Sequence, residues 1–270
     1  MIKKLYGFSN SREIWRVIPA GEDKLLIEER NKKTKEVYFN CIQIKTGKTL
    51  LKSYQLKDKF WIGVEAVYND IIFFHRFIKP DLPTHKDIIA FDMNKKEILW
   101  ENNDLVFLTI SDDNLYGYKA LFEGREFYKL NINTGDVIKK LEKAPDKNTI
   151  EQFQNSALKD FCFSSIYSND LELDEKIHDI IRAVKEENVV TGRVELLVYN
   201  DVLFLSFHVQ GKNGKLNKLL NVIDIVTGKI ILKRIINFNI KAFIPDSFFL
   251  IKNYLFVLIE TKKLFCYILK

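Results

Sequence analysis

The sequence predicts an all-β chain made from a repeated strand–turn–strand unit, and three observations predict it. The first is a cassette of the form apolar–polar–apolar–x–Thr–Gly–Lys–x–apolar–apolar. It occupies residues 42–51, 130–138 and 223–232, centred on Thr46-Gly47-Lys48, Thr134-Gly135-Asp136 and Thr227-Gly228-Lys229, with a degenerate copy at 91–100. The second is a polar turn leading into a short apolar strand, at Asp23, Asp70, Asn114, Asp201 and Asn253. These positions are 47, 44, 87 and 52 residues apart, and 87 is close to twice 44. The third is composition: 270 residues, 47% apolar and 13% aromatic, supply enough core for one large domain.

Taken in order, residues 1–9 have a basic start without an apolar run behind it, so no export signal is expected. Residues 12–16 resemble the closing strand at 96–100 and are expected to pair into the last unit, covering its open edge. In each cassette the alternating apolar residues give two strands. Thr-Gly then suits a three-residue connection whose last residue takes positive φ, a conformation that costs glycine no Cβ clash. Lys96 stands at that position in the degenerate copy, which implies either another turn or strain of about 1 kcal/mol.

Residues 145–187 break the strand rhythm. Ile177, Ile180, Ile181 and Val184 fall at i, i+3, i+4 and i+7, one face of a helix, with Asp170, Asp174 and Glu175 near its positive end. A second helix is expected to open at 149–153, and 161–167 has the pattern of a residual strand. The segment suits an eroded unit whose helix packs on its neighbours; the alternative is an insertion that shapes a site. Val190-Thr191-Gly192-Arg193 mimics the cassette turn and is expected to form a shorter hairpin. Five clear units and one eroded one, at about 45 residues each, describe a β-propeller of about six blades in a single domain, 1–270.

Ile223-Asp224-Ile225-Val226-Thr227-Gly228-Lys229, and Phe91-Asp92-Met93 with Ile98-Leu99-Trp100, resemble the Tyr-Asp-Thr-Gly-Lys-Trp repeats of quinoprotein-type, WD-like β-propellers. Residues 244–267 resemble an uncharacterised family of bacterial propeller-like proteins, a domain of unknown function. That resemblance implies the fold and a bacterial origin and brings no catalytic residues. Quinone-dependent dehydrogenases are normally exported and bind calcium beside the cofactor. With three Trp and no quinone or calcium constellation, this chain shares their shape and not their chemistry, and no cofactor is expected.

Net charge is +6, and only eight of the 42 basic residues are Arg. Scattered lysines among acids describe a solvated surface, so no nucleic-acid partner is expected. Cys41, Cys162 and Cys266 form no C-x-x-C pair, which points to a reducing, cytoplasmic setting; Cys41 and Cys266 read as small core fillers. Residues 244–259 are the most apolar stretch but contain Pro245, Asp246, Lys252 and Asn253, so no membrane insertion is expected.

The four histidines show no metal-binding spacing; His75 and His85 could pair across residues 78–86, yet single structural histidines are preferred and no metal site is assigned. No nucleophile elbow, phosphate loop or dinucleotide fingerprint occurs. Asp112-Asp113 and Glu186-Glu187 suit solvated loops, although a ring of strands can bring distant carboxylates together. His75 and Arg76, and Ser206 and His208, interrupt apolar strands and face either solvent or a central channel. Trp61 is expected in the core. The favoured function is a non-enzymatic binding or scaffolding module, monomeric, with a protein partner. The alternative is a small-molecule or glycan-acting enzyme with its site at the channel mouth. Catalytic residues are left unassigned.

Overall fold

A computed structural model describes residues 2–60, 62–79 and 82–270; Trp61 lies outside them. The chain is mostly β and divides into two compact units, one of residues 12–159, the other of 1–11 together with 160–270. Among the described residues there are five antiparallel sheets of four or five strands, where the spacing predicts about six units. The chain opens with β1 (Ile2–Phe8), which belongs to the second unit.

The 12–159 unit holds three four-stranded meanders. The first is β2 (Glu13–Pro19), β3 (Lys24–Arg30), β4 (Val37–Gln43) and β5 (Thr49–Tyr54). The second is β6 (Ile62–Tyr68), β7 (Ile71–Lys79), β8 (Leu82–Asp92) and β9 (Glu97–Asn102). The third is β10 (Val106–Ser111), β11 (Asn114–Leu121), β12 (Gly124–Asn131) and β13 (Val137–Leu141), followed by helix α1 (Lys147–Leu158). The middle sheet is buried on both faces. Phe74, Ile89 and Phe91 pack with Leu26, Phe39 and Leu51, while Phe73, Ile88 and Ala90 pack with Trp100, Leu115 and Leu130. Residues 71–74 are therefore a continuous apolar run and not an alternating one.

In the second unit, β14 (Phe161–Phe163) and β15 (Ser165–Ile166) precede helix α2 (Glu175–Asn188). Strands β16 (Val190–Tyr199), β17 (Val202–Gln210), β18 (Leu216–Asp224) and β19 (Ile230–Ile240) then form a sheet with β15 at its edge. Strands β20 (Phe248–Ile251), β21 (Tyr254–Ile259) and β22 (Lys263–Leu269) complete the other sheet, in the order β1-β22-β21-β20-β14. The apolar stripe of α2 is buried as expected: Ile177, Ile181 and Val184 pack on Val194, Leu196, Leu205 and Phe207.

Four expectations are corrected. The strand that joins the sheet of β20–β22 is β1, with Ile2 opposite Leu269, whereas residues 12–16 begin the first meander against β3. Residues 161–166 make two strands that go to different sheets, which is why no sixth sheet forms there. Gly192, at φ 78°, does not turn a hairpin but sits at a register shift inside β16. The cassette turns hold four residues: Gln43 N–H donates to Lys48 C=O, and Gly47 N–H donates back to Gln43 C=O. The same pair of bonds recurs at Asn131/Asp136 and Asp224/Lys229. Positive φ falls where expected, at Gly47, Gly135 and Gly228, and Lys96 adopts it too, at 61°.

Candidate functional site

The middle sheet of the 12–159 unit gathers an unusual set of side chains. His75 lies in β7 opposite Gly63 of β6, and a Cβ on Gly63 would stand 2.5 Å from its Cε1 and Nε2. Only a glycine there leaves room for the imidazole to lie against the neighbouring strand. The β6–β7 ladder shifts register between Val64 and Ala66, so Glu65 is the extra residue of a bulge. The β7–β8 ladder shifts as well: Phe74 faces Ile89 and Arg76 faces Lys86, leaving Asp87 and Ile88 opposite His75. Asp87 absorbs the kink at φ 63°. Bulges re-aim side chains out of the alternating pattern, and here two of them flank one histidine. Arg16 Nη1 donates to Val64 C=O at 3.2 Å and fixes the backbone just before Glu65.

The result is a cluster of Glu65, His75 and His85. Glu65 Oε1 lies 2.9 Å from His75 Nδ1 and 2.7 Å from His85 Nδ1. The two imidazoles are stacked, with centroids 3.5 Å apart and planes 11° from parallel, and Phe77 meets both edge-on. Exposure rises outward, from 2% for the His75 side chain to 14% for Glu65 and 37% for His85. Burial pushes the Glu65 carboxyl up, but the His75 contact and then His85 outweigh it, so the group is held below the usual glutamate range. Neither ring nitrogen of His75 is aligned for a hydrogen bond, despite the close approach of Glu65. A buried imidazole without an aligned hydrogen bond is an exception that calls for an explanation.

Glu65 also lines a cavity of about 390 Å³ between β2, β6 and α1. Its other walls include Val17, Ile18, Val67, Phe153 and Leu158, with Arg16 and Gln154 as the polar members beside Glu65. That volume and mixture of apolar wall with few polar groups suit a small organic ligand.

The remaining candidates sort into structural roles. Burial pushes the Cys41 thiol up to about 12 and the Cys266 thiol up to about 11, so neither is a ready nucleophile. His75, Ser206 and His208 are buried, so none is a solvent-facing member of its strand. His208 lies edge-on to Phe243 and accepts from Ile244 N–H at 3.3 Å. Next to it Lys218, fully buried, binds Glu195 at 2.8 Å, Ser247 Oγ at 3.1 Å and Ile244 C=O. His178 meets Tyr167 Oη at 2.9 Å. Asp112 and Asp113 both take positive φ in the two-residue turn between β10 and β11, a backbone role that accounts for the pair. His75 and His85 were visible in the sequence as a pair. Glu65 was not; its one signal is a lone carboxylate within the otherwise apolar strand β6.

Residues 18–100 match the family described as a domain of unknown function, DUF4905. The span contains Glu65, His75 and His85, and it lies far from the 244–267 stretch that carried the resemblance in the sequence. No curated protein matches. Among solved structures, a europium-containing methanol dehydrogenase is similar at 12% identity and a TM-score of 0.34, over 87% of this chain and 44% of its own. The chain thus spans less than half of that protein. The uncharacterised protein lmo1340 of Listeria monocytogenes EGD-e is similar at 13% identity and a TM-score of 0.36, over 94% of this chain and 78% of its own. Hsv2 of Kluyveromyces lactis is similar at 12% identity and a TM-score of 0.32, over 92% and 74%. Among the described residues no helix is long and apolar enough to cross a membrane.

Proposed function

We propose that this chain is a single-domain β-propeller, its sheets the blades, and that it acts as a non-enzymatic binding module for a small ligand seated in the cavity beside Glu65. The observation that carries the binding role is the cavity itself, an apolar trough with one half-buried carboxylate and one guanidinium at its wall. Repetition of the four-residue cassette turn in several sheets supports the propeller assignment. Ligand-observed NMR with a library of small amphiphilic compounds tests the binding role. Compounds should bind the wild type and lose binding to Ala157→Trp, which fills the trough from α1. Absence of any binder, or binders indifferent to that substitution, overturns it. Residence in the cytoplasm, a monomeric state and a protein partner stay part of this proposal, resting on composition alone.

One observation favours the second reading, a small-molecule enzyme: two histidines and a carboxylate meet at a single point next to the cavity. Glycoside hydrolysis fits less well, because it asks for two carboxyl groups across the substrate, and Glu65 is the one carboxylate of this cavity wall among the described residues.

A further inference from the structure

We infer that Glu65, His75 and His85 form a binding site for one divalent transition-metal ion, with zinc the best chemical match. Two imidazoles and a carboxylate are a borderline-soft donor set that suits zinc and its neighbours and not calcium or magnesium. Three protein ligands leave a fourth position for water or a ligand, the arrangement of reactive zinc sites; structural ones are closed by four.

The geometry is close to what the ion needs. The candidate ligand atoms lie within 4.8 Å of one another. Zinc bonds of about 2.0–2.2 Å put tetrahedral ligand atoms roughly 3.3–3.6 Å apart, so both Nδ1 atoms must draw back from Oε1. The stacked rings, now 11° from parallel, must tilt until both nitrogen lone pairs meet at one ion. A carboxylate oxygen can only accept, so a nitrogen facing it must hold a proton there or share a cation with it. A metal ion satisfies all three groups at once. It also gives a partner to His75 Nδ1, which is buried with no aligned hydrogen bond. The surrounding construction is independent support. Two bulges bring Glu65 and His75 out of register, Gly63 clears space for the ring, and Phe77 braces both imidazoles. Since Glu65 lines the trough as well, a bound ion would stand at its wall. The site does not depend on the trough having an organic ligand.

The test is direct. Full-length protein, stripped with a chelator and dialysed against Zn²⁺ alone, should retain one ion per chain and release protons on binding. Co²⁺ in place of Zn²⁺ should give the visible bands of a four-coordinate nitrogen–oxygen site. Glu65→Gln and His85→Ala should each weaken Zn²⁺ binding at least about tenfold, since even second-shell changes cost that much, and should erase the Co²⁺ bands. His85 is partly exposed, so His85→Ala keeps the test open if substitution of buried His75 unfolds the chain. His178→Gln should bind as the wild type does. A wild type that takes up no ion, or folded Glu65 and His85 variants that bind it undiminished, would overturn the site.

Discussion

Lys96 shows how one residue departs from the repeat without changing the fold. Its φ of 61° puts its Cβ against the backbone in a conformation that the other cassettes give to glycine. The turn is held all the same: Lys96 N–H donates to Asp92 C=O, and Asp92 Oδ1 accepts from the N–H groups of Asn94 and Lys95. Lys96→Gly should therefore stabilise the protein by about 1 kcal/mol, as read from urea denaturation. The expectation of strain there was legible from a single aligned position. His208 was legible only as a polar interruption, because its environment is assembled from β18 and the 241–247 loop. Burial, and then the Lys218 charge, depress its pKa from 6.5 to about 4. The folded state keeps it neutral while the unfolded chain takes up a proton near 6.5, so its contribution is complete above 6.5 and is lost as pH falls towards 4. His208→Gln should lose less stability than the wild type between those values, measured by denaturation midpoints at successive pH.

At the scale of elements, the sequence speaks clearly wherever one residue type has one backbone use. The α2 stripe, the cassette glycines and the acidic helix start are such places. Asp174 is the N-cap of α2 and accepts from Lys176 N–H, so Asp174→Ala should cost about 1 kcal/mol, visible as a lower thermal midpoint. Register shifts are silent in the sequence. Nothing in the run from Ile62 to Tyr68 announces that Glu65 is the bulged residue, because a bulge depends on how two ladders share hydrogen bonds. That is why His75 and His85 could be paired from their spacing while the third member could not. Gly63 carries a further prediction. Gly63→Ala drives a Cβ into the buried His75 ring, and should destabilise the chain by about 1–3 kcal/mol in urea titration.

For the whole molecule, the repeat period foretold most of the sheets, and contacts gather them into two compact units. The eroded unit expected at residues 145–187 consists of two helices and two very short strands. The two compact units each have their own buried clusters: residues 12–159 hold those of Phe74 and Phe73, and the other unit holds those of Phe207 and Phe204. Removing residues 2–8 should lower the thermal midpoint and promote association, since β22 would present an unpaired edge. The pairing of Ile2 with Leu269 also imposes an order in time. A ribosome makes β1 before any residue of the 12–159 unit and β22 after all of them. β1 must therefore stay without this partner until β22 has been made, and the strands between them can be folded while β1 still waits.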